Sequence, residues 1–223
     1  GLSGTMRPAG APSDELHWVR SSAEYRAITT QTYRLALEAA AKLSAGRASG
    51  TWGVSLDADE TVLDNSGYEV ELQRKGAVHT DAAWFAWVKR GERTAIPGAK
   101  AFLEGLRKLG GRAAIVTNTQ QSLCSDVAAN LEKAGLPYDL LVCRADDGGD
   151  RKEGRWNSIG DGTARPDLGP VDLLLFVGDN IQDFPGQSQA LRDADEPAFA
   201  NFGVRWFVLP NPVYGTWEKN APR

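Results

Sequence analysis

Val54-Ser55-Leu56-Asp57-Ala58-Asp59-Glu60-Thr61-Val62-Leu63-Asp64-Asn65 runs a short apolar strand straight into four acids. Asp57 and Asp59 stand one residue apart where a buried strand should end. Carboxylates that close repel, and burial raises the cost of each charge, so a chain keeps the arrangement only where something offsets it. A bound cation would. A calcium loop needs an acid or Asn at its fifth position and Gly at its sixth, where this chain has Thr61 and Val62, so that site is excluded. Acids delivered by the carboxyl end of a strand instead suit an α/β protein, whose ligands gather beyond the ends of its parallel strands.

Outward from this stretch the same rhythm repeats. Residues 51–56, 112–117, 138–143, 171–177 and 204–209 read as strands, and the apolar run 171–177 has the character of a parallel strand covered on both faces. Helices are expected at residues 97–109, with Pro97 in the first turn, and at 122–134, 151–159 and 187–193. Residues 13–45 read as a helical extension opened by Ser13, Asp14 and Glu15. Residues 66–95 look like an irregular insertion or cap after the first strand, with Trp84, Phe85 and Trp87 in a short helix. The expected fold is α/β: a parallel sheet flanked by helices, one domain over residues 13–223. Residues 1–12 read as a tag remnant or the stub of a removed leader.

The 223 residues, 42% hydrophobic, suffice for one cored domain. Lys and Arg (25) are fewer than Asp and Glu (29) and form no basic run, which argues against a nucleic-acid polymer as partner but leaves nucleotide monomers open. No apolar run approaches the roughly 18 to 20 residues that cross a bilayer. Cys124 and Cys143 are too few for a disulfide scaffold and are silent on compartment; they read first as ordinary buried thiols, with a bond between them left open.

Polar residues collect at the strand ends: Asp57 and Asp59, then Thr117 and Asn118, then Asp179 and Asp183, with Lys152 after the third strand. Carboxylates, a hydroxyl and an ammonium on one rim are the parts of a Mg²⁺-dependent phosphoryl-transfer site. An Asp nucleophile divides the reaction into two in-line steps through an acyl phosphate, but an anion attacking a dianion needs its charge screened. Hard oxygen ligands suit Mg²⁺ for that task. Lys152, Thr117 and Asn118 would take the phosphate oxygens. A second carboxyl must protonate the leaving alkoxide and later activate water, which accounts for two acids at i and i+2. Thr61 either bonds the Asp57 or Asp59 backbone or caps the turn. Trp84 and Tyr214 are candidates for flat walls against a nucleobase. Glu60 and Asp64 read as structural, and His17 and His79 have no assigned role.

The string 57–65 with Tyr68, together with Gly178-Asp179-Asn180-Ile181-Gln182-Asp183-Phe184, resembles the paired signature of the class C acid phosphatases, subfamily IIIB of the haloacid dehalogenase (HAD) superfamily. Ile96-Pro97-Gly98, Val116-Thr117-Asn118 and Leu209-Pro210-Asn211 extend the likeness. The resemblance implies a HAD-type sheet. It further implies Asp57 as nucleophile and Asp59 as general acid/base. Mg²⁺ would be held by Asp57, the Asp59 backbone carbonyl and Asp179, with Asp183 ordering Lys152 or metal-bound water. It implies an exported or lipid-anchored enzyme acting on small phosphomonoesters, nucleoside 5'-monophosphates among them, through an aspartyl phosphate; a broad phosphatase or phosphotransferase is the alternative. A non-catalytic surface-binding protein on the same fold would have no need of all five of Asp57, Asp59, Thr117, Lys152 and Asp179. Three departures from the family pattern stand out: Ala58 replaces an Ile or Leu, Thr119-Gln120 stands where an Arg commonly follows the Thr-Asn pair, and in the lysine motif Arg151 adjoins Lys152, of which Lys152 matches the family's residue type.

Overall fold

Five consecutive buried residues, Trp52–Leu56, form β1. A strand is buried along its whole length only when both edges are paired and both faces covered. In the computed structural model, which describes residues 11–222, β1 is the middle of a five-stranded sheet. The other strands are β2 (Leu63–Asp64), β3 (Thr94–Ala95), β4 (Arg112–Gln120), β5 (Leu140–Arg144), β6 (Asp172–Gly178) and β7 (Trp206–Val208). The sheet runs β5-β4-β1-β6-β7, every pairing parallel, while β2 and β3 form a separate antiparallel pair. Residues 1–10, most of the expected stub, lie outside the described residues.

The helices are α1 (Asp14–Ser21), α2 (Ala23–Leu43), α3 (Ser66–Lys75), α4 (Asp81–Arg90), α5 (Ala99–Lys108), α6 (Cys124–Lys133) and α7 (Glu153–Gly160). Alternation along β4 divides the core in two. Ala113 and Ile115 join Tyr33 and Ala36 of α2, Phe102 and Leu106 of α5, and Val127 and Leu131 of α6. Ala114 and Val116 face the other way, onto Trp156 and Ile159 of α7 with Phe176 and Phe184. The polar Ser55 of β1 is satisfied within that second layer by Trp156 Nε1, at 2.9 Å. No helix among the described residues is long and apolar enough to cross a membrane.

Several sequence expectations are corrected. The stretch 13–45 is two helices, because Ser22 is extended and its hydroxyl caps α2 on Tyr25 N–H at 3.0 Å. Pro97 lies before α5 rather than in its first turn; Gly98, at φ 92°, makes the entry. The expected helix at 187–193 tightens to a 3₁₀ turn, Gln189–Asp193. The insertion is not irregular but ordered as α3, α4 and the β2–β3 pair, with Thr80 capping α4 and Tyr68, Trp84 and Trp87 packing together.

Cys124 and Cys143 are not free thiols. They form a disulfide. Cys143 is the register partner of Thr117 on β5, and Cys124 opens α6 just beyond the end of β4, so the sheet brings the two together. Closing a loop over a separation of 19 residues should stabilise the fold by about 3 kcal/mol in the chain-entropy account. The double variant Cys124→Ser/Cys143→Ser should therefore lose about 3 kcal/mol in urea denaturation and melt about 6 to 12 °C lower. An unchanged midpoint would show that the bond does not constrain the unfolded chain.

Candidate active site

Leu56 pairs with Ile115 on one side and Val177 on the other. The residues that follow all three therefore gather at the carboxyl end of the sheet: Asp57 after β1, Thr117 and Asn118 within the last four residues of β4, and Asp179 after β6. Asp57 prolongs the ladder by donating its N–H to Val177 O at 3.0 Å. The next residues turn sharply. Val62 and Leu63 both donate to Ala58 O at 2.9 Å, and Glu60 takes a left-handed φ of 54°.

Asp57, Asp179 and Asp183 each place a carboxylate oxygen within 4.8 Å of the others. Lys152, immediately before α7, reaches into this group with its side chain 2% exposed, bonding Asp57 Oδ1 at 2.5 Å and Asp183 Oδ1 at 2.7 Å. Arg151, the other basic residue in that motif, instead faces out to Gln187 O and Glu153. Asp183 gets this close because residue 178 is glycine: a Cβ there would lie 2.3 Å from the Asp183 side chain. Asp183 Oδ2 accepts the Asn180 N–H at 2.9 Å. Asp179 accepts from Thr61 Oγ1 at 3.1 Å and Asn211 Nδ2 at 2.8 Å. Thr61 thus serves Asp179, neither capping the turn nor bonding the Asp57 or Asp59 backbone as expected.

Burial pushes Asp57 up to about 7, with Asp183 and Asp59 adding to the shift and Lys152 opposing it. Burial, then Asp183 and Asp57, holds Asp179 well above the usual carboxylate range. Burial alone would lower Lys152, but Asp183 and Asp57 outweigh it and hold the ammonium above its ordinary value. Three carboxylates this close together are a hard-oxygen donor set that suits a hard divalent cation.

The Asp59 side chain belongs to a different group. It accepts from Arg93 Nη1 at 3.0 Å, Asn65 Nδ2 at 2.9 Å and Thr119 Oγ1 at 3.3 Å. Asn65 is fixed by Trp87 Nε1 at 2.7 Å and by Glu60, whose carboxylate takes the Asn65 N–H at 2.6 Å and Nδ2 at 3.1 Å. Glu60 is structural, as expected. Thr117 Oγ1 accepts the Thr119 N–H at 3.1 Å, which leaves its own proton to donate. Asn118 Oδ1 accepts from Arg155 Nη2 at 2.5 Å, which leaves its Nδ2 as a donor. Both therefore keep a proton to donate.

A profile of the HAD superfamily, subfamily IIIB (acid phosphatase), matches residues 9–217. The chain belongs to that family. Among solved structures it is similar to the class C acid phosphatase from Bacillus anthracis, 28% identical with a TM-score of 0.77, over 92% of this chain and 85% of that one. The same Bacillus anthracis enzyme with tungstate bound matches at 27% and 0.76, with the same coverage. The phosphatase is accordingly a hydrolase on a HAD-type sheet.

In this phosphatase Trp84 packs against Tyr68 and His79, whose Nδ1 lies 3.0 Å from Tyr68 OH. Tyr214 lies in the loop after β7, its N–H 3.3 Å from the Asn211 Oδ1 that helps fix that loop beside Asp179. No ring contact joins Trp84 to Tyr214 among the described residues. Sequence reasoning missed Arg93, Asn65, Asn130 and Arg155 as partners of site residues. Of these only Asn65, inside the acidic string, carried a local signal.

Because Asp57 holds its proton to a higher pH in the fold than in the unfolded chain, its contribution to stability is lost as pH rises from about 4 to about 7. A divalent cation favours the ionised carboxylates and should reverse this. Dialysed, metal-free protein is expected to gain more in Tm from millimolar MgCl₂ at pH 7.5 than at pH 5. An equal or larger gain at pH 5 would count against Asp57, Asp179 and Asp183 as its ligands.

Proposed function

We propose that this chain is a Mg²⁺-dependent phosphatase that hydrolyses small phosphomonoesters through an aspartyl phosphate on Asp57. The observation that carries the proposal is the pairing of Lys152 with Asp57 and Asp183 inside a cluster of three carboxylates, while Asp59, two residues away, belongs to a separate set of donors. Bound Mg²⁺ on Asp57, Asp179 and Asp183 would screen the charge between nucleophile and phosphate; the Asp59 carbonyl, expected as a further ligand, belongs to the same proposal.

With Oδ1 engaged by Lys152, Asp57 Oδ2 is the oxygen free to attack phosphorus in line. Thr117 Oγ1, Asn118 Nδ2 and the Lys152 ammonium donate to the remaining phosphate oxygens, where charge spreads in the transition state. Asp59 gives a proton to the leaving oxygen and takes one from the water that cleaves the acyl phosphate. Tungstate, a tetrahedral oxyanion, in the similar Bacillus anthracis enzyme supports an oxyanion site of this kind. Asp57→Asn should reduce aryl phosphate turnover at pH 5 to 6 by at least a thousandfold, with unchanged circular dichroism. A chelator should abolish wild-type turnover and MgCl₂ restore it. Turnover near wild type in Asp57→Asn would refute the nucleophile assignment.

Nucleoside 5'-monophosphates are the proposed substrates, and Trp84 and Tyr214 the walls against the base. Trp84→Ala/Tyr214→Ala should raise KM for a nucleotide tenfold or more while moving KM for a small aryl phosphate less than threefold, since stacking contributes about 1 to 3 kcal/mol per base. Equal shifts for both substrates would sink the idea. Export is part of the same proposal. The Cys124–Cys143 bond supports it, because disulfides persist mainly in oxidising compartments. Recovery of the protein from the cytoplasmic fraction of its source cells would overturn it.

A further inference from the structure

The two oxygens of Asp59 are not equivalent. Oδ1 accepts two bonds of ordinary length, from Asn65 Nδ2 and Arg93 Nη1, whereas among the described residues Oδ2 has only Thr119 Oγ1 at 3.3 Å. A carboxylate pinned through one oxygen presents the other. Arg93 is itself pinned. Its side chain is 0% exposed, its Nε and backbone N–H reach Asn130 Oδ1 at 2.9 and 3.3 Å, and Asn130 Nδ2 returns a bond to Arg93 O at 2.8 Å. This guanidinium joins the insertion to α6 and meets Asp59 at a fixed place.

A stabilising role explains the arrangement poorly. Arg93 Nη2 is buried with no protein hydrogen-bond partner among the described residues. A buried ion pair seldom outperforms apolar side chains of the same volume even when fully bonded. What Arg93 supplies that an apolar residue could not is the orientation of Asp59.

We propose that Arg93 is the positioning residue for proton transfer by Asp59, holding Oδ1 so that Oδ2 is the oxygen that delivers the proton to the leaving group. Thr119 Oγ1, at 3.3 Å, leaves Oδ2 only lightly engaged. In the step itself, Asp57 Oδ2 bonds to phosphorus, the ester P–O bond breaks with its electron pair passing to the leaving oxygen, and the proton on Asp59 Oδ2 moves to that oxygen. The products are the alcohol, the aspartyl phosphate and the Asp59 carboxylate. This inference rests on the proposed role of Asp59 and adds what aims it.

Leaving-group dependence reads that role, because a dinitrophenolate departs without a proton and an alkoxide does not. The quantity to measure is kcat/KM for 2,4-dinitrophenyl phosphate and for ethyl phosphate, which reports steps up to loss of the leaving group. In Arg93→Met the ratio of the two should rise at least tenfold, part of the ~10² to 10⁴ that a general acid contributes. Arg93→Lys, which keeps a cation but not the fork, should give a smaller rise in the same direction. In an Asp59→Ala background Arg93→Met should leave the ratio unchanged. Parallel losses on both substrates, or a further change without Asp59, would overturn the proposal. Should Arg93→Met not fold, Asn130→Ala, which removes the anchor of the guanidinium, must raise the same ratio or the proposal fails. Absence of wild-type turnover on either ester would instead overturn the phosphatase reading.

Discussion

Mutual repulsion among Asp57, Asp179 and Asp183 is the constraint that organises this molecule. Ionised, the three carry three negative charges, and Lys152, in contact with two of them, offsets one. Two charges remain, which is what a divalent cation neutralises. Without one, burial first and the neighbouring carboxylates second push Asp57 and Asp179 upward. A cluster of this kind contributes little to folding and is a burden when metal-free. The surrounding structure is accordingly built to hold it: Asn211 and Thr61 on Asp179, the Asn180 amide on Asp183, and a glycine at 178 where any Cβ would displace Asp183.

The parallel sheet makes this convergence possible at low conformational cost. Leu56 is level with both Ile115 and Val177, so the residues that follow these positions meet at one end of the sheet without long loops, although β4 itself runs on beside β5 to Gln120. Lys152 comes from further away, after β5, and spans the gap with a long side chain at the start of α7. On that side the Cys124–Cys143 bond ties the start of α6 to β5, beside Thr117 in the register. Rigidity is therefore concentrated where a phosphate would be gripped, which is where small displacements cost most in catalysis.

How much of this is legible in the amino-acid sequence follows from range. Apolar runs ending in acids are local, so β1, β4, β6 and the residues Asp57, Thr117, Asp179 and Asp183 can be located from residue order alone. Lys152 is legible through its motif. Arg93 is not, because its meaning lies in Asp59 and Asn130, each more than thirty residues away and neither implied by spacing. The cysteines mislead for the same reason: two thiols 19 residues apart say nothing until β4 and β5 are paired. The insertion looks irregular because α3 buries only Ser66, Tyr68 and Leu72, too few apolar positions to show a helical period, and its order comes from Trp87 and Trp84 packing on it. The break at Ser22 is local but hidden, since Ser is compatible with a helix and turns it only by capping the next one.

The i, i+2 spacing of Asp57 and Asp59 finally finds a physical reason. In a continued strand both would lie on one face and compound the repulsion. Instead the chain leaves the strand after Asp57, and Glu60 accepts a left-handed backbone, with its carboxylate spent on Asn65, to make the turn. Asp57 is left among two acids and an ammonium, whereas Asp59 is left among an amide, a hydroxyl and a guanidinium. Environments that differ so sharply suit the two carboxyls to the separate roles proposed for them, attack and proton transfer. The strained turn between them is therefore as much a part of the site as the acids it separates.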